Sequence, residues 1–133
     1  MVRRGRTYLV MASPDPSPQV LVLIRTSLRA NCDLAAYAAM DARMNELVSQ
    51  IPGYQGAKGF AADDGETVAI IQFESHEALL RWRAHPEHRE AQRAGREKFY
   101  ATYDVRVCCV ERAYEFSLER EPRRADITSS KPA

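Results

Sequence analysis

Two imidazoles and the only tryptophan of the chain fall inside one short stretch, Trp82-Arg83-Ala84-His85-Pro86-Glu87-His88. On a helix, residues three apart share a face, so His85 and His88 suit either half of a metal site or the holding and moving of a proton. No nearby Asp or Cys completes a ligand set, so no metal is expected. Trp82 offers an indole N–H and a broad aromatic face beside these rings. Any chemistry is expected here, between Phe73 and His88. Each candidate also has a structural alternative. Trp82 can be core, His88 can cap a helix or bond backbone, the Met40 and Met44 pair can fill a core, and Arg25 can form a salt bridge. The charge-dense run from Arg89 to Lys98 reads as a solvated helix face with intrahelical pairs.

The elements that must hold these residues follow from period and punctuation. Val20-Leu21-Val22-Leu23-Ile24 is a continuous aliphatic run too short for a helix, and it predicts a first strand ending near Arg25-Thr26. From Asp33 as N-cap, Tyr37, Met40, Met44, Leu47, Val48 and Ile51 recur at helical spacing until Pro52-Gly53. Tyr54 to Ala62 and Thr67 to Phe73 flank the turn Asp63-Asp64-Gly65-Glu66, which predicts a hairpin. Ser75 is placed to cap a helix with Leu79, Leu80 and Trp82 as its buried stripe, and Pro86 predicts a kink or restart. The restarted helix brings His88, Ala91, Gly95 and Phe99 onto one face. Tyr103 to Phe116 predicts a long last strand, bulged near Cys108-Cys109. The order is βαββαβ: an α+β, ferredoxin-like fold whose helices cover one face of a four-stranded antiparallel sheet. The strands are apolar on both sides, so the face away from the helices should be buried by a second copy, in a homodimer packed sheet to sheet.

Composition bounds the partners. The chain has 133 residues, 45% hydrophobic and 28% charged, which is ordinary for one domain and too small for two. A formal charge of +1 supplies no field to gather nucleic acid or anionic lipid. Residues 1–19 carry no run long enough for a signal core or membrane span, and their Pro- and Ser-rich part reads as a flexible leader; Met11 is a candidate natural start. Residues 117–133 read as a flexible tail, leaving a folded unit over 20–116. The expected location is the cytoplasm, with the three cysteines as reduced thiols.

Phe73-Glu74-Ser75, Glu77-Ala78, Trp82, His85-Pro86-Glu87-His88, the helix from Arg89 to Tyr100 and a last strand of Val-x-Val-Cys type resemble the antibiotic biosynthesis monooxygenase domain of the dimeric α+β barrel superfamily. The resemblance covers about residues 20–116 and implies a dimeric barrel. It also implies a pocket between helices and sheet in which a phenol, quinol or anthrone-like molecule reacts with oxygen, without metal, flavin or haem. Triplet dioxygen reacts slowly with closed-shell organics, but an electron-rich anion can hand it one electron and then recombine with superoxide. Such a site needs a base, donors for the oxyanion and a dry cavity. The resemblance implies His88 as base and Trp82 as donor or ring platform, with Arg25 or Tyr100 steadying the anion. Tyr37, Met44 and Phe73 would line the pocket, and the small side chains of Ala91 and Gly95 would leave it room. The haem-degrading branch is disfavoured, because Ile24 and Gln92 stand where its Asn and haem-ligating His align, with only Trp82 retained. Two other readings remain open at this point, a proton-transfer enzyme of isomerase type and a non-catalytic small-molecule-binding or stress-associated dimer.

Overall fold

The computed structural model describes residues 19–118. The leader and tail expectations, the candidate start at Met11 included, therefore fall outside the described residues except at Gln19 and residues 117–118. Strand β1 (Val20–Leu28) leads to helix α1 (Leu34–Val48), the β2–β3 hairpin (Tyr54–Ala61, Thr67–Phe73), helices α2 (His76–Arg83) and α3 (Pro86–Ala94), a π-helical turn (Gly95–Phe99) and β4 (Tyr100–Cys109). The strands form one antiparallel sheet in the order β2-β3-β1-β4. This is the expected ferredoxin-like α+β architecture.

Local chemistry sets the element ends. The Asp33 side chain accepts a hydrogen bond from the Ala36 N–H at 3.0 Å, and Ser75 Oγ accepts one from Ala78 at 3.2 Å, each satisfying a helix donor that lacks an intrahelical partner. Gly53, at φ +95°, ends the α1 connection where a Cβ would lie 2.5 Å from that of Ala78, so both backbone and packing require glycine. In the hairpin turn, Asp64 Oδ1 accepts from the Glu66 N–H at 2.9 Å and Gly65 takes φ +93°.

Alternation along β1 divides the sheet. Val20 and Val22 lie on the helix side, where they meet Phe73, Leu47, Val48, Ala78, Leu79 and Trp82 in the core. Val20 pairs with Phe73 in register, and both are fully buried. The other side carries Leu21, Leu23 and Arg25, in register with Gln72, Ile70 and Val68 on β3, with Lys58 beside Ile70 and Phe60 beside Val68 on β2. No helix among the described residues covers that side, and Phe60 is half exposed.

Three expectations need correction. Leu80 is not part of the buried stripe: it is 45% exposed, because the core side of α2 is filled by Ala78, Leu79 and Trp82. The last strand runs Tyr100–Cys109 rather than Tyr103 to Phe116, since β1 begins at Val20 and offers a partner no further than the bond from the Val110 N–H to the Gln19 carbonyl. Past it, Tyr114, Phe116 and Leu118 are exposed. The bulge falls between Ser27 and Leu28, opposite the start of β4, and not at Cys108-Cys109.

Candidate functional site

Pro86 starts α3 in its first turn, where a missing N–H costs nothing, and His85 occupies the N-cap with its Nδ1 accepting from the Glu87 N–H at 3.1 Å. One turn on, His88 folds back onto α2. Its ring stacks on Trp82 at 4.1 Å between centroids and 17° between planes, and its Nδ1 lies 3.2 Å from the Trp82 carbonyl oxygen. A carbonyl only accepts, so Nδ1 carries the proton and donates; that partner assigns the tautomer, and Nε2 is left as the lone-pair nitrogen. Burial pushes the His88 pKa down to about 4, outweighing the opposing pull of the Trp82 carbonyl, so the ring is neutral at pH 7. The turn that bears it is fixed from α1, where Arg43 grips Glu87 with Nε at 3.0 Å and Nη2 at 2.9 Å. Those Arg43 hydrogen bonds also hold the Glu87 carboxyl below its ordinary range.

A second cluster sits past the C-terminal end of α3, where α1, the π-helical turn and the start of β4 meet. Tyr37 of α1 meets Phe99 edge-on at 5.5 Å and Tyr100 at 6.0 Å, and Tyr100 stacks on Tyr103 at 5.4 Å. Burial raises the Tyr100 hydroxyl well above the usual phenol range, with Tyr37 adding to it, and burial raises Tyr37 as well. Both phenols therefore keep their protons, and because the two hydroxyls hydrogen-bond to each other, the pair has one O–H left to donate outward. His88, Ala91 and Gly95 recur at three- and four-residue steps, so the imidazole and the phenols stand at opposite ends of one stripe roughly 10 Å long.

On the helix side of the sheet, β4 is the edge strand beside β1. Tyr103, Val105 and Val107 pair in register with Thr26, Ile24 and Val22. Val22 is 5% exposed, yet Val107 beside it is 47% exposed and Val105 39%. The helix layer thus covers β1 and β3 and leaves the β4 border of the same face exposed, an apolar margin of the sheet.

The remaining residues singled out from the sequence divide. Ala91 is buried in the stripe and Met44 is half-buried against the core. Phe73 is fully buried opposite Val20 and has no surface for a ligand, which removes it from a pocket wall. Gly95 does not leave room for a ligand: a Cβ there would collide with Cε2 of Tyr100 and lie 2.9 Å from Cδ2, so the tyrosine ring already fills that space. Arg25 is on the opposite side of the sheet, on the same face as Leu21 and Leu23, and it bridges Glu66 and Asp104 at 3.2 Å each. Parity keeps it away from the helix side, so the salt-bridge alternative is the one found.

One positioning residue was not legible. Arg29, just past β1, donates to the carbonyls of Arg96 (2.6 Å), Glu97 (2.8 Å) and Tyr100 (3.0 Å), binding the unsatisfied acceptors of the π-helical turn and setting where Tyr100 enters β4. These partners lie 67 to 71 residues away, and no local pattern signals them. Among the described residues, no group of three or more His, Cys, Asp or Glu side chains is arranged to hold a metal ion. Nor is any helix among them long and apolar enough to cross a membrane. Cys32, Cys108 and Cys109 are free thiols.

Comparison with known proteins adds to this geometry. A family model described as antibiotic biosynthesis monooxygenase matches residues 20–94. The protein YqjZ of Bacillus subtilis (strain 168) is 32% identical over 100 residues, 75% of this chain and 87% of YqjZ. Among solved structures, SnoaB, a cofactor-independent oxygenase from Streptomyces nogalater, superposes with a TM-score of 0.60 at 18% identity, over 73% of this chain and 97% of its own. Hydroxynitrile lyase from Passiflora edulis gives 0.61 at 15% identity, over 75% of this chain and 100% of its own. At such identities the two structures carry the fold alone, and their names show how different the reactions on it are.

Proposed function

This chain belongs to the antibiotic biosynthesis monooxygenase family, and on that premise we propose that it oxidises a small aromatic compound of phenol, quinol or anthrone type. Molecular oxygen is the co-substrate, no bound cofactor takes part, and the reaction occurs along the His88, Ala91 and Gly95 side of α3, by the exposed β4 border of the sheet. The observation that carries this reading is the neutral His88, stacked on Trp82 with Nδ1 committed to a carbonyl and Nε2 left as a base. A substrate laid along the stripe meets that base at one end and the protonated phenols of Tyr37 and Tyr100 at the other, which suits a ring system with oxygens at both ends. His88 Nε2 takes a proton, and the anion passes one electron to oxygen. The radical pair joins in a C–O bond, the peroxide takes its proton back from His88, and loss of water leaves a carbonyl. With a base near 4, removing a proton from a group of pKa about 10 is uphill by about 8 kcal/mol. The donor at the far oxygen must therefore supply much of the stabilisation, and strongly acidic quinols are favoured substrates.

The face of the sheet opposite the helices, where Leu21, Leu23, Val68 and Ile70 form an apolar centre bordered by the charged Arg25, Lys58, Asp104 and Arg106, is the proposed homodimer surface, and its burial would complete a barrel around both sheets. Oxygen uptake with a panel of anthrones and hydroquinones tests the activity. Turnover that falls at least a hundredfold in His88→Gln, with the fold retained by circular dichroism, supports the proposal. A panel without uptake overturns it. If uptake is absent but substrate C–H exchanges with deuterated solvent in the absence of oxygen, the site is a proton-transfer site instead.

A further inference from the structure

Arginines, three of them without a carboxylate partner among the described residues, line a groove on the solvent side of α2 and α3 together with Glu90. Two adjoining concavities, of about 590 Å³ and 480 Å³, share Arg89 and Gln92 and together run from Leu80 and Arg83 at one end to Arg96 at the other. Arg93 is held by Glu90 and by Glu97 at i−3 and i+4. Among the described residues, Arg83, Arg89 and Arg96 make no ion pair with a carboxylate. The chain as a whole is nearly neutral at +1, so this concentration of positive charge is local. Arg89 and Arg96 are seven residues apart, roughly 10 Å along one side of α3. Arg83 lies across the bend, next to Leu80, an aliphatic side chain 45% exposed where helical period would have buried it.

The spacing selects the ligand. A compact anion such as phosphate needs donors converging on one point, whereas these guanidinium groups are spread along a shallow trough with an apolar step at one end. Carboxylates at i, i+4 and i+7 on one face of a helix, flanked by a leucine-sized residue, match that distribution, and Arg forks bind carboxylates in pairs. We propose that this groove docks an acidic amphipathic helix of a partner protein. Neither Trp82 nor His88 lines it, so docking and oxidation are separable.

The test uses the full chain and a dye-labelled, alanine-based helical peptide carrying Glu at i, i+4 and i+7 with one flanking Leu, read by fluorescence anisotropy. Micromolar binding is expected at low salt, weakened at least tenfold by the pair Arg89→Glu and Arg96→Glu and severalfold by Leu80→Ser. Raising ionic strength should weaken it strongly, since the pairs are exposed. The milder pair Arg89→Ala and Arg96→Ala serves if charge reversal disturbs the fold, with circular dichroism as the check. Absence of binding, equal binding of a Gln-for-Glu peptide, or binding indifferent to the arginine pair would overturn the proposal. So would displacement of the peptide by inorganic pyrophosphate at lower concentration than by unlabelled peptide, which marks a small-anion site, or binding of anionic phospholipid vesicles in place of the peptide.

Discussion

Acidifying the protein from neutral pH towards pH 3 should protonate His88 against the burial that opposes it. The folded-state pKa is about 4, below the ordinary 6.5, so between those values an unfolded chain binds a proton that the folded one refuses. The contribution of His88 is therefore fully present above 6.5, falls away as pH drops through the window, and levels off below 4. Without screening the difference would be about 3 kcal/mol. Part of the ring still meets water, so we take about half, roughly 1.5 kcal/mol, or a loss of roughly 6 to 12 °C in Tm for a domain of this size. Trp82 is the only tryptophan and its ring is 4.1 Å from the imidazole, so its emission reports directly on that proton, an imidazolium quenching a stacked indole. Emission should drop with a midpoint near 4 in the native protein and lose that transition in His88→Gln, while the extra acid sensitivity of the Tm disappears. A midpoint near 6.5 would mean a solvated ring. The same transition in the variant would assign it to other groups. Either result refutes a desolvated base, and the proposed mechanism with it.

Other perturbations act on the scaffold. Gly95→Ala should cost about 1 to 3 kcal/mol in urea unfolding, because the added methyl meets the Tyr100 ring; an unchanged midpoint would show that ring free to move. Removing the guanidinium in Arg29→Met should cost about 2 kcal/mol and speed amide exchange across residues 95–100 more than in α1. Ser75→Ala should cost about 1 kcal/mol through the lost cap on α2. Leu23→Lys, on the open side of the sheet, should shift the sedimentation of the protein to that of a monomer, and an unaltered dimer would place the interface elsewhere.

Local signals were read correctly where the responsible atoms are close in sequence. Asp33 and Ser75 cap their helices, Gly65 turns the hairpin and Pro86 restarts the second helical segment, because each acts on backbone within a few residues. Period carried the apolar stripe of α1 and the placing of His88, Ala91 and Gly95 on one face. Leu80 escaped that reading, since only the position of α2 on the sheet decides which of two neighbouring leucines is covered. The true end of β4 was equally hidden: a strand stops where its partner does, and that partner is 80 or more residues earlier in the chain.

The amino-acid order alone therefore determined the succession of strands and helices, the family likeness and the region where chemistry is expected, because these follow from backbone propensity and short-range spacing. Tertiary structure decided the rest. Which side of the sheet Arg25 faces, that the Tyr100 ring occupies the space beside Gly95, that Trp82 and His88 stack, and that burial holds the imidazole neutral all depend on how distant elements are pressed together, and desolvation is set by that packing.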